Sequence, residues 1–154
     1  MAQDIINVFV SHYHNDEENI GKMKDLLGDK YSIRNYSVTS DKYNNAKSED
    51  YIKSMLRPLI NQAGTFICLI GPNTHDSKWV NWEIEQAIKQ GKRIIGVYLW
   101  GAKDSDIPPA LEDGADAMVG WNHDSIINAI NGDSIFTNAD GSTRPSVDAP
   151  RVTC

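Results

Sequence analysis

The chain has 154 residues, enough for one domain and too few for a second core of useful size. Fifteen Lys and Arg against 21 Asp and Glu give a net charge of −6, without the clustered basic surplus that phosphate neutralisation needs, so nucleic acid is excluded as a partner. No apolar run approaches the roughly 18 residues of a membrane span, Met1-Ala2-Gln3-Asp4 lacks the basic start of a signal peptide, and Cys68 and Cys154 make no disulfide framework, so a soluble, cytoplasmic domain is expected.

In chain order, two hydrophobic patterns alternate. Ile5-Ile6-Asn7-Val8-Phe9-Val10 is a β-branched run ending in a polar turn. Residues 16–27 follow with Ile20, Met23, Leu26 and Leu27 at helical spacing, and Gly28 is a suitable stop. Residues 31–38 alternate weakly and suggest a second, less buried strand. A polar loop, 39–47, leads into Ser48-Glu49-Asp50, a good helix start. Ile52, Met55, Leu56, Leu59 and Ile60 then form one apolar stripe, with Pro58 inside it predicting a kink or an early end. Thr65-Phe66-Ile67-Cys68-Leu69-Ile70 reads as a central strand covered on both faces, with Cys68 a small core residue. Residues 77–90 form the next helix, capped by Gly91, with Val80, Ile84, Ala87 and Ile88 as its buried stripe. Residues 93–99 are a fourth strand. A Pro/Gly-rich connection leads to a fifth at 117–121, and 124–130 form a last short helix. Residues 132–154 have few apolar anchors and read as a poorly ordered tail to a domain spanning 1–131.

Strands alternating with helices imply an α/β fold, a parallel sheet with helices on both faces. Ligands of such sheets bind at the carboxyl ends of the strands, where strand order reverses. For an order of 2-1-3-4-5 that point lies between the first and third strands, which singles out residues 11–16, 37–47 and 71–83. No G-x-G-x-x-G follows the first strand and no phosphate-cradling G-x-x-x-x-G-K-[ST] occurs. No aspartate closes the third strand, where a phospho-acceptor receiver needs one. His12 and His14 share a turn, with His75 and His123 far off, and no partner pattern completes a metal set, so none is expected.

Residues 77–84 differ from the rest. Glu85 falls on the face opposite the buried stripe, as a solvated charge. Glu83 falls at the stripe's edge, one turn after Trp79, where the helix dipole helps hold a carboxylate ionised and indole can wall it. Trp79 and Trp82 also serve as plain packing residues, and Glu83 as a surface charge, on the blander reading.

Phe9-Val10-Ser11-His12 closing the first strand, the apolar third strand ending in Ile70-Gly71, and Ser77-x-Trp79-Val80-x-x-Glu83-Ile84-x-x-Ala87 together resemble a TIR domain. The nearest variety is the TIR-like type of bacterial anti-phage Thoeris systems, and the likeness covers about residues 5–131. It implies the flavodoxin-like, five-stranded TIR sheet. It also implies an enzyme, an NAD⁺ nucleosidase or ADP-ribosyl cyclase, that cleaves the nicotinamide–ribosyl bond with Glu83 as its catalytic residue. NAD⁺ is then substrate, and no cofactor is implied. Ser11, His12, Tyr13, Asn35, Ser37, Trp79 and Trp82 are the substrate-binding residues of this reading, and residues 39–47 cover the site. The resemblance further implies self-association through TIR–TIR contacts and an ADP-ribose-derived signal read by a separate effector. Two rivals share the sheet: a TIR module that only assembles, and a nucleoside deoxyribosyltransferase-like enzyme with a nucleophilic glutamate.

Overall fold

The structure is a computed structural model, and it describes residues 6–12, 18–28, 31–36, 49–72 and 74–139, with the backbone alone for 6, 31–36 and 49. The elements, in chain order, are β1 (Ile6–Ser11), α1 (Glu18–Leu27), β2 (Tyr31–Tyr36), α2 (Glu49–Gln62), β3 (Thr65–Ile70), α3 (Lys78–Lys89), β4 (Arg93–Tyr98), α4 (Pro109–Gly114), β5 (Ala117–Val119) and α5 (His123–Ile130). The strands form one sheet in the order β2-β1-β3-β4-β5. Every neighbouring pair is parallel, so each connection crosses over through a helix or loop.

Strand side chains alternate between two faces and make two apolar layers. Val8, Val10, Ile67, Leu69, Ile95 and Val97 face α1 and α5. Phe9, Phe66, Cys68, Ile70, Ile94 and Met118 face the side carrying α2, α3 and α4. On this second face Phe9 and Phe66 stack with ring centroids 5.4 Å apart. β3 is buried at all six positions, which is why it reads as one unbroken apolar run.

Several expectations are corrected. Helix α2 runs through Pro58 without ending. The amide that proline lacks would have bonded the carbonyl of Ser54, four residues back on the exposed face, while buried Ile52, Leu56 and Ile60 hold the other face to the sheet. Ile88, assigned to the buried stripe of α3, is 43 % exposed. It lies at the rim over Gly114 of α4, a helix too short to cover it. That helix itself went unforeseen within the Pro/Gly-rich connection. Residues 133–139, assigned to a poorly ordered tail, pack against the sheet edge. Phe136 bridges Met118, with Met118 N donating to Ile135 O at 2.7 Å and Thr137 N to Met118 O at 2.8 Å. Its anchor is the one aromatic residue of that segment, which packs against the α2–α4 layer. Among the described residues no helix is long and apolar enough to cross a membrane.

Candidate functional site

Helix α3 is set in place by local hydrogen bonds. Ser77 caps its start, accepting from Val80 N at 3.2 Å. Gly91, with φ of +72°, lets the chain turn back into β4 at the other end. The loop entering α3 is pinned by Thr74, whose Oγ1 accepts from Gly71 N at 2.8 Å and donates to Leu69 O at 3.3 Å. Asn81 Nδ2 donates to His75 O and to Ser77 O, both at 3.0 Å. Neither Thr74 nor Asn81 was singled out from the sequence, although a threonine three residues after a strand-ending glycine is a turn signal.

Within α3 the residues facing the sheet are Val80, Glu83, Ile84 and Ala87. Glu83 therefore stands inside the apolar stripe, 0 % exposed, not at its edge. Ser11 ends β1 on the same face as Phe9, which aims its hydroxyl at α3. Ser11 Oγ donates to Glu83 Oε1 at 2.6 Å, and both groups are buried. Parallel pairing puts Ser11 opposite Cys68 on β3. Burial raises the Cys68 thiol well above its ordinary value of 9.0, and the nearby Glu83 charge pushes it further the same way. Cys68 thus belongs to the surroundings of the carboxylate, which its apolar sequence neighbours did not reveal.

The remaining expected site residues fall as follows. His12 follows β1 and is 3 % exposed, beside the strand end that carries Ser11. Trp79 precedes Glu83 by one helical turn and meets Trp82 edge-on, with ring centroids 6.0 Å apart. Trp82 turns toward α2, where Lys53 Nζ stands 5.6 Å and Arg57 Cζ 5.5 Å from its ring centre. The ring expected to bind substrate is thereby engaged by two of the protein's own cations. Asn35 lies in β2 in register with Phe9, and its side chain, like Tyr13, Ser37 and the loop 39–47, lies outside the described residues. The structure thus brings Ser11, His12 and Glu83 to one strand end and directs Trp82 elsewhere. Among the described residues no group of three His, Cys, Asp or Glu side chains is arranged to hold a metal ion.

A parallel sheet in this strand order, with helices on both faces and a buried serine–carboxylate pair at the carboxyl end of its first strand, defines a doubly wound α/β domain. Within that class the family model for the Thoeris protein ThsB, TIR-like domain, matches residues 9–104, and the chain belongs to that family. A Bacillus cereus (strain MSX-D12) protein named "Putative cyclic ADP-D-ribose synthase ThsB1" is 32 % identical over 57 residues, a match spanning 37 % of this chain and 30 % of that protein. The structure of Clostridium botulinum CMP N-glycosidase, BcmB, is similar in fold, with a TM-score of 0.50 and 19 % identity over 81 % of this chain and 98 % of that one.

Proposed function

We propose that the protein cleaves the nicotinamide–ribosyl bond of NAD⁺, with Glu83 as the catalytic carboxylate, and releases an ADP-ribose-derived signal for a separate effector in Thoeris defence. The observation that carries the reading is the 2.6 Å hydrogen bond from Ser11 to a fully buried Glu83. A carboxylate costs several kcal/mol to bury and an apolar residue would fit the stripe better, so its presence there argues for chemistry over packing. Family membership and the name of the Bacillus cereus relative support the same substrate.

The bond suits a single carboxylate. Nicotinamide departs as a neutral molecule from a cationic pyridinium, so its departure needs no general acid. The ribosyl group turns positive as the bond lengthens, as in glycoside hydrolysis. A fixed negative group beside it stabilises that charge, and the bond from Ser11 orients the carboxylate. Water, or a nucleophile of the same or another molecule, then completes the exchange, giving ADP-ribose, a cyclic product or a conjugate. Glu83 is enclosed, so a ribose reaches it only once its surroundings rearrange. Enclosure of this kind suits an enzyme that acts on assembly or on a trigger.

The test is to incubate the full-length protein with NAD⁺, alone and in lysate from phage-infected cells, and to measure nicotinamide. Release is expected from wild type and from Glu85→Ala, whose side chain is exposed on the far face of α3, and not from Glu83→Ala. Equal release from wild type and Glu83→Ala would refute the assignment. Release of free base from CMP, with NAD⁺ left intact, would favour a nucleotide N-glycosidase.

A further inference from the structure

A cavity of about 490 Å³ opens at the carboxyl ends of β4 and β5, outside the Ser11–Glu83 pair. Tyr98, Trp100, Gly101, Gly120, Trp121 and Ala139 form most of its lining, and among the described residues no charged side chain lines it. Trp100 is 98 % exposed, so its indole stands clear of the protein and rests on nothing. Trp121 is half-buried against the α1–α5 layer and supplies a fixed second ring. Gly101 and Gly120 leave peptide backbone open between them, with empty space around a Cβ placed at Gly120. The far wall is held by the segment after α5, where Tyr98 Oη donates to Thr137 O at 2.9 Å and Ala139 N to Asp104 Oδ1 at 2.7 Å.

An exposed indole with no packing contact keeps both of its faces open to a flat partner. The uncharged described lining favours a neutral group over a phosphate or a cation. What fits is a neutral, flat heterocycle, stacked on indole and hydrogen-bonded at its edge to open backbone. The cavity lies on the same edge of the sheet as Glu83. Leu99 N donates to Ile70 O at 2.9 Å, so the cavity floor adjoins the end of β3. β4 and β5 stand two and three strand spacings from β1, or about 10–14 Å, a separation that a dinucleotide's two ring systems can bridge.

We propose that this cavity is a nucleobase subsite that takes the adenine of the dinucleotide whose nicotinamide riboside end meets Glu83. The proposal rests on the NAD⁺ reading for the identity of the base, and on Trp100, Trp121 and the uncharged lining for the site itself. Stacking on an aromatic side chain changes base affinity by about fivefold to a hundredfold.

The test uses the full-length protein and AMP, which lacks the nicotinamide end, followed by tryptophan fluorescence and calorimetry. Trp100→Ala removes a side chain without packing contacts, and Gly120→Leu fills the cavity from a position with room for a side chain. Both are expected to weaken AMP binding by about tenfold, and Trp100→Ala to raise the ratio of the KM for NAD⁺ to that for nicotinamide mononucleotide. AMP affinity equal in all three proteins, or no AMP binding by wild type, would overturn the proposal. If AMP binding depends on Trp100 while no form releases nicotinamide from NAD⁺, the subsite stands and the NAD⁺ reading falls.

Discussion

Replacing Glu83 by glutamine keeps the shape of the side chain and removes its charge, which separates what this residue does for stability from what it does for chemistry. In the native protein the carboxylate is 0 % exposed, between Val80 and Ile84 on the sheet-facing side of α3. Moving an ion from water to such a place costs several kcal/mol after relaxation. The charge-assisted hydrogen bond from Ser11 offsets about 1.5–3 kcal/mol of this. Glutamine retains an oxygen that accepts from Ser11, contributing about 1 kcal/mol, while its neutral amide costs only about 1–3 kcal/mol to bury. With the Ser11 bond as the term compared, the balance favours Glu83→Gln by about 1 kcal/mol, a rise in Tm of about 2–4 °C for a chain of this size. Thermal melts followed by circular dichroism at neutral pH, with urea unfolding as a second measure, give the sign directly. Release of nicotinamide by the same variant is expected to vanish. A variant that melts several degrees lower than wild type would show that the carboxylate holds the fold together more than it strains it, and the argument from its burial to catalysis would fail.

Ser11→Ala removes a donor from the buried carboxylate and is expected to cost about 1–3 kcal/mol, falling to about 1 kcal/mol or less in the Glu83→Gln background; a double-mutant cycle by urea unfolding measures the coupling. Cys68 has a thiol whose value in the folded protein lies well above 9.0, so the native state keeps its proton at pH values where the unfolded chain loses it. Stability from this group is complete below about pH 9 and declines above it by about 1.4 kcal/mol per pH unit, a slope that Cys68→Ala is expected to lack in denaturant titrations between pH 8 and 10.5. A Cβ at Gly96 would lie 3.0 Å from Leu111 Cδ2 and 3.2 Å from Ile70 Cδ1, so Gly96→Ala is expected to lower stability by about 1–3 kcal/mol. At Gly114 the Cβ would meet Ile88 Cδ1 at 2.5 Å, but Ile88 is 43 % exposed and free to turn, so Gly114→Ala is expected to cost well under 1 kcal/mol in the same assay.

The alternation of helical and strand patterns made the α/β class and the parallel sheet legible, because each helix and strand buries a side that its spacing announces. Where the reading failed, a tertiary contact outweighed a local rule. Pro58 breaks a helix in isolation, yet here it removes one solvent-side hydrogen bond from a helix anchored by Ile52, Leu56 and Ile60. Helix α4 hid in a connection rich in proline, although Pro109 at its first turn is a helix-start signal. Residues 133–139 looked like a tail because Ile135, Phe136 and Ala139 are their few apolar anchors, and the position of β5 at the sheet edge gives Phe136 its bridge partner.

The same contrast separates the parts of the site. The position of Glu83 on α3 followed from spacing, but its depth did not, because a wheel gives direction and leaves distance to whatever covers the helix. Ser11 and Cys68 became its neighbours through strand register, which pairs residues 57 apart in sequence with no local mark on either. Trp82 shows the opposite case: its proximity to Glu83 along the helix suggested a shared task, whereas Lys53 and Arg57 on α2 claim its ring. A carboxylate in an apolar stripe and an indole without a packing partner are two places where this fold departs from its own pattern. Both stand at the carboxyl edge of one parallel sheet, where the chain leaves its strands and where backbone and side chains are open to a ligand. That coincidence argues for one elongated substrate spanning the edge, since neither departure is explained by the stability of the fold.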